Sequence, residues 1–97
     1  MKKFASLVLV ALLTLSFGIG ALAADPTELV FWTFQQFHVK LMEAGAETWN
    51  KLHPDQQVVI KPDVLPYADM HTKLLVALQS GVGAPDYCDI EIGQFPN

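Results

Sequence analysis

The sequence predicts an α/β fold in which a strand, a helix, a strand, a helix and a strand follow one another, and three observations lead there. Apolar residues form short runs or alternate singly in three stretches, and recur at steps of three and four in the two stretches between them. Proline or glycine stands at the joints, at Pro54, Pro66 and Gly81. The connections are a few residues long and helices separate the strands, which is the pattern of a parallel sheet built by right-handed crossovers.

Taken in order, Leu29-Val30-Phe31-Trp32-Thr33-Phe34 is a continuous run of aliphatic, aromatic and β-branched residues, too short for a buried helix and suited to a strand covered on both faces. From His38 to His53 the period changes. Met42, Gly45, Trp49 and Leu52 recur at helical steps and define the expected apolar face, while Lys40, Glu43, Glu47, Asn50 and Lys51 point elsewhere. Glu47 precedes Lys51 by one turn in the favoured order, and Pro54 ends the helix by disfavouring helical geometry at His53. Val58-Val59-Ile60 opens a second strand that Pro62 pushes toward a sheet edge, because proline cannot donate a ladder hydrogen bond; its far end lies near Val64 and Leu65. Pro66 to Ser80 is the second helix, with Tyr67, Met70, Leu74, Ala77 and Leu78 on one face and Gly81 placed to end it. After a turn at Val82-Gly83-Ala84-Pro85, Asp86 to Ile92 reads as a third strand, its Cys88, Ile90 and Ile92 alternating with Asp89 and Glu91.

Ahead of these elements, Met1-Lys2-Lys3, the apolar stretch Phe4 to Leu15 and the small-residue exit Ala21-Leu22-Ala23 have the architecture of a signal peptide, with cleavage expected between Ala23 and Ala24. The alternative is an uncleaved anchor, since Phe4 to Ala24 is about long enough to span a bilayer. Against it, Gly18 and Gly20 interrupt the run where a processing site needs extended chain, and no positive cluster follows. The exit has no Cys to take a lipid, and the sequence has no Arg, which excludes a twin-arginine signal. Residues 1–23 are therefore expected to be a signal peptide and 24–97 the folded part of an exported protein, periplasmic or at the cell surface.

Removing the leader takes Lys2 and Lys3 with it and leaves four lysines against ten acids, a net charge of −6. Such a surface argues against nucleic acid as a partner, where a basic stripe is the expected footprint. The single Cys88 excludes an internal disulfide framework and reads as a small buried apolar residue. A chain of this size without disulfides or a metal buries a marginal core, typically about 3 to 5 kcal/mol. The sequence also stops at Phe95-Pro96-Asn97, directly after an apolar strand, so a truncated first portion of a longer protein is expected.

Residues that could carry chemistry are few. His38, His53 and His71 do not pair at the i, i+4 spacing that puts two metal ligands on one helical face, and read as surface or capping residues. Gly81-Val82-Gly83 follows a helix and leads into a strand, the reverse of the dinucleotide fingerprint. No nucleophile elbow and no zinc spacing is present. No catalytic residue, metal site or cofactor is expected on these grounds. What remains is an aromatic and amide cluster, Trp32-Thr33-Phe34-Gln35-Gln36-Phe37, at the end of the first strand, with Glu91, Gln94 and Phe95 at the end of the third. Parallel sheets gather ligands at the carboxyl ends of their strands. Sugars offer C–H faces that pack on rings and hydroxyls that both donate and accept, so this palette suits a polyol. Phe31, Trp32 and Phe34 can equally be core residues.

The Val-Phe-Trp-Thr strand, the helix with Glu47-Thr48-Trp49-Asn50 ending near Pro54, the tract Tyr67 to Leu78 with Lys73-Leu74, then Ser80-Gly81 and Ala84-Pro85-Asp86 come in a fairly specific order behind a signal peptide. From Leu29 to Asn97 this resembles the family-1 extracellular solute-binding proteins of ABC importers, which mostly take up oligosaccharides and other carbohydrates. The resemblance implies the first lobe of a two-lobed periplasmic-binding-protein fold, truncated here, whose lobes close over a small-molecule solute, a mono- or oligosaccharide. It implies a cleft lined by Gln35, Gln36 and Phe37 after the first strand and by Glu91, Gln94 and Phe95 after the third. It also implies ABC importer permease subunits as partners, with the membrane reached only through them. The chain departs from the family at Tyr87-Cys88, where aliphatic residues are usual, and in its length. Two other readings stand beside it: a small exported α/β enzyme such as a hydrolase, using Asp86, Asp89 or Glu91 as general acid or base, and a secreted or anchored interaction domain.

Overall fold

The computed structural model describes residues 24–96. The expected signal peptide, residues 1–23, and the cleavage position at Ala23 lie outside the described residues; Ala24 opens them as exposed, irregular chain. Three strands and two helices alternate: β1 (Thr27–Thr33), α1 (Gln36–Leu52), β2 (Val58–Val64), α2 (Tyr67–Ser80) and β3 (Tyr87–Cys88), followed by a single 3-10 turn, Ile92–Gln94. The sheet is parallel with the order β2-β1-β3. The α/β alternation and parallel sheet expected from the sequence are therefore present.

β1 pairs with β2 along its whole length, from Thr27↔Val58 to Thr33↔Val64. Pro62 is accommodated because β2 lies at the sheet edge, opposite Phe31, where its missing N–H leaves no ladder bond unmade. Asn50 of α1 serves that same edge strand: its side chain donates to the Val58 carbonyl at 2.9 Å and accepts the Val58 N–H at 2.8 Å. Both backbone groups at the start of β2 thus find partners on the helix.

Trp32 lies on the α2 side of the sheet, where Met70, Leu74 and Ala77 form the buried cluster around it and Phe34, Leu65 and Cys88 pack against the rim. Lys73 reaches over this cluster, 4.0 Å above the Trp32 ring and 2.9 Å from the Asp63 carboxylate. Strand alternation turns Phe31 and Thr33 to the opposite face, where Phe31 stacks on Tyr87 with ring centroids 4.6 Å apart. That stacking gives Tyr87 a reason to stand where an aliphatic residue was expected. α2 ends at Gly81, whose φ of 70° lies in the left-handed region that favours glycine.

Two expectations need correction. α1 starts at Gln36 and buries Val39, with Met42, Ala46 and Asn50 half-buried, so the inward face is not the one written by Met42, Gly45, Trp49 and Leu52. Trp49 is 42% and Leu52 71% exposed. Phe37, Leu41, Gly45, Trp49 and Leu52 instead form a second, exposed apolar stripe, and a helix that is apolar over so wide an arc hides which side faces the sheet. The third strand is also shorter than Asp86 to Ile92. β1 bends away after Thr33 into α1, so β3 has no partner past the bond from the Asp89 N–H to the Trp32 carbonyl at 3.0 Å. Glu91 then caps the 3-10 turn, accepting the Gly93 N–H at 2.8 Å, and Ile92 is exposed.

Candidate ligand-binding site

From β1 the chain crosses to β2 on one side and later to β3 on the other, so the strand order reverses between β1 and β3. In open α/β sheets the crevice outside the carboxyl ends at such a point is where ligands sit. Here those ends are Thr33 and Cys88, which places both sequence-predicted segments at the reversal.

Asp89, the first residue beyond β3, ties the two strand ends together. Its Oδ2 accepts the hydroxyl proton of the fully buried Thr33, and His38 on the first turns of α1 places Nδ1 2.6 Å from the same oxygen. A carboxylate only accepts, so the imidazole donates from Nδ1. Thr33 Oγ1 in turn accepts the Gln35 N–H at 3.0 Å, which fixes the chain as it leaves the strand. Burying Thr33 costs little because its hydroxyl both donates and accepts.

Beyond Asp89 the chain is held from α2. The Glu91 N–H donates to His71 Nε2 at 3.1 Å, and His71 Nδ1 lies 2.7 Å from the Tyr67 carbonyl one turn earlier. The Tyr67 hydroxyl donates to Glu91 Oε2 and accepts from Gln94 Nε2, both at 3.1 Å. Phe34 closes the arrangement from the β1 side, its ring edge-on to Tyr67 at 5.1 Å and tilted against His71 at 5.3 Å. A groove of about 350 Å³ runs alongside, lined by Tyr67, His71, Leu75, Leu78, Ile90, Gln94 and Phe95 among others.

The sequence-predicted residues fall into two sets. Gln35 precedes α1 and Gln36 and Phe37 open its first turn rather than a loop; all three are exposed, and Phe37 stands edge-on to His38 at 4.1 Å. Glu91 and Gln94 are half-buried and joined through Tyr67, while Phe95 is 70% exposed beside the groove. His38, Tyr67 and His71 were not anticipated as site residues, while Thr33 was named only within the strand-end cluster and Asp89 only as a catalytic alternative. The i, i+4 spacing of Tyr67 and His71 was the one available signal, since it puts both on one helical face.

The carboxylates considered for catalysis have structural partners: Asp86 accepts the Val30 N–H at 2.7 Å, Asp89 holds Thr33 and His38, and Glu91 caps the turn. Burial, helped by Asp89, pushes the Cys88 thiol up, which keeps it protonated and a poor nucleophile. Burial also raises the Tyr87 phenol, with Asp89 and Asp86 adding to the effect. Among the described residues no His, Cys, Asp and Glu side chains gather in a group that could hold a metal, and no helix is long and apolar enough to cross a membrane.

The chain is 49% identical over 79 residues, 81% of its length, to an arabinooligosaccharide-binding protein of Halalkalibacterium halodurans. It is 35% identical over an alignment spanning all of it to the arabinooligosaccharide-binding protein of Bacillus subtilis. Over this segment the chain is thus similar to two proteins named for binding arabinooligosaccharides. It spans about a fifth of the length of these relatives, 18% of one and 24% of the other. No family model and no solved structure matches it. The relatives are binding proteins by name.

Proposed function

We propose that the protein is an exported receptor that binds a sugar or oligosaccharide and delivers it to the permease subunits of an ABC importer, without catalysis. Residues 1–23 act as a signal peptide cut after Ala23, and residues 24–97 form the beginning of the first lobe of a two-lobed receptor. In this reading Gln35 and Gln36 hydrogen-bond solute hydroxyls from one side of the crevice, Glu91 and Gln94 do so from the other, and Phe37 and Phe95 pack on sugar faces. The single observation behind it is the likeness to two arabinooligosaccharide-binding proteins, one of them aligned over the whole chain. An arabinooligosaccharide is accordingly the first solute to test.

The test is calorimetric titration of the full-length gene product with arabinose, arabinotriose, xylotriose and maltotriose. Saturable binding of at least one of them is expected, with arabinotriose the tightest. Absence of binding to every sugar, or turnover of any of them, would overturn the receptor reading. N-terminal analysis of the exported protein is expected to begin at Ala24.

A further inference from the structure

We propose that His71 is a positioning residue for solute binding: it holds the turn after β3, and with it Glu91 and Gln94, in the conformation that faces the crevice. This rests on the receptor reading above, and assigns His71 a role through Glu91 and Gln94 instead of through its own contact with solute.

The hydrogen-bond partners leave the imidazole one arrangement. The Tyr67 carbonyl can only accept and the Glu91 N–H can only donate, so Nδ1 carries the proton and Nε2 presents its lone pair. The other tautomer would set a donor against a donor and an acceptor against an acceptor. α2 therefore reaches the turn at three points: the Glu91 backbone through His71, and the Glu91 and Gln94 side chains through the Tyr67 hydroxyl. Glu91 Oε2 is held at the same time by the Gly93 N–H, so its second oxygen is the one left to meet a ligand. Phe34 rests on both the Tyr67 and His71 rings, so the same device touches the chain leaving β1. A binding turn held before the ligand arrives loses less freedom on binding, and loosening it weakens affinity without removing any contact.

The test uses the full-length gene product carrying His71→Leu, His71→Gln or His71→Asn, titrated with arabinotriose. The Gln amide oxygen reaches about as far as Nε2 and can still accept the Glu91 N–H; Asn is too short and Leu has no acceptor. Expected are a loss of about five- to thirtyfold in affinity for Leu and Asn, and a value within about threefold of the parent for Gln. The Glu91 amide should exchange faster in the Leu and Asn proteins than in the parent and Gln proteins, and a ring-nitrogen NMR spectrum of the parent should show His71 protonated on Nδ1. Should Leu fail to fold, Gln against Asn decides. Equal affinity in all variants, equal loss in all of them, or a proton on Nε2 overturns the positioning role while the parent still binds sugar. A parent that binds no sugar overturns the receptor reading and the positioning role together, so the two failures are told apart by the parent titration.

Discussion

The two segments that leave the carboxyl end of the sheet share a palette of amides and a phenylalanine, yet they are held in different ways. After β1, the backbone is fixed through Thr33 while the Gln35, Gln36 and Phe37 side chains stay exposed, and Gln35 gives α1 no side-chain cap. After β3, the side chains themselves are engaged, Glu91 and Gln94 both meeting the Tyr67 hydroxyl. In the proposed receptor, the first segment would offer a solute groups free to adapt, and the second groups already oriented. Affinity in that receptor would depend on both, because orientation lowers the entropy cost of binding and adaptable groups match varied hydroxyls.

The largest effect is expected where the two segments meet. Asp89→Ala removes an acceptor shared by Thr33 and His38 and leaves the buried Thr33 hydroxyl only the longer contact to the Gln35 carbonyl at 3.4 Å. Chemical denaturation of the full-length gene product should show a loss of about 2 to 4 kcal/mol, with Asp89→Asn losing less because it keeps an accepting oxygen. Unchanged stability in both would mean that the strand ends are not tied through this carboxylate.

Glu91→Ala should cost less, about 1 to 2 kcal/mol, because it removes the cap on the Gly93 N–H and the acceptor for Tyr67 at a half-exposed site. Its affinity for sugar should fall as well. A variant that weakened binding with no change in stability would place Glu91 with Gln36, as a group that serves the solute alone, and would erase the difference between the two segments.

That difference was only partly legible in the sequence. The alternation of elements was, because hydrophobic period and the prolines at 54 and 66 agree with one another and no long-range information is needed. The inward face of α1 was not: Leu41, Trp49 and Leu52 are as apolar as Val39 and Met42, and only the sheet decides which stripe it covers. Trp49 instead stacks on His53 at 3.7 Å and donates its indole N–H to the Gln56 carbonyl, holding the end of the helix. Strand-end chemistry was legible as a list of residue types. The pairing of Asp89 with Thr33 and His38, more than fifty positions away, depends on register and cannot be seen in spacing.

A smaller effect should appear at alkaline pH, and on the β3 side of the comparison. Tyr87 and Cys88 are raised above their ordinary values of 10.0 and 9.0 in the folded chain by burial first and neighbouring carboxylates second. The unfolded chain therefore releases these protons earlier, so this stabilisation is fully present below about pH 9 and is lost as pH rises through the folded values. Thermal midpoints measured from pH 8 to 11 should fall, and Tyr87→Phe should flatten part of the fall. A midpoint that stays level over that range would show that these two side chains are no more buried folded than unfolded.

The smallest effect on stability is expected from Gln36→Ala. Gln36 is exposed on the first turn of α1, and alanine is the better helix former, so denaturation should give a change within about 0.5 kcal/mol of the parent. Its affinity is another matter if the crevice is where the sugar lies. A solute hydroxyl bound there would lose its amide partner on desolvation, and arabinotriose binding should weaken about five- to a hundredfold. Set beside Glu91→Ala, which should lose both stability and affinity, the pair separates a side chain that answers only to the solute from one that also builds the fold. Gln36→Ala binding arabinotriose as tightly as the parent, while Glu91→Ala binds it weakly, would confine recognition to the β3 segment and remove the first turn of α1 from the site.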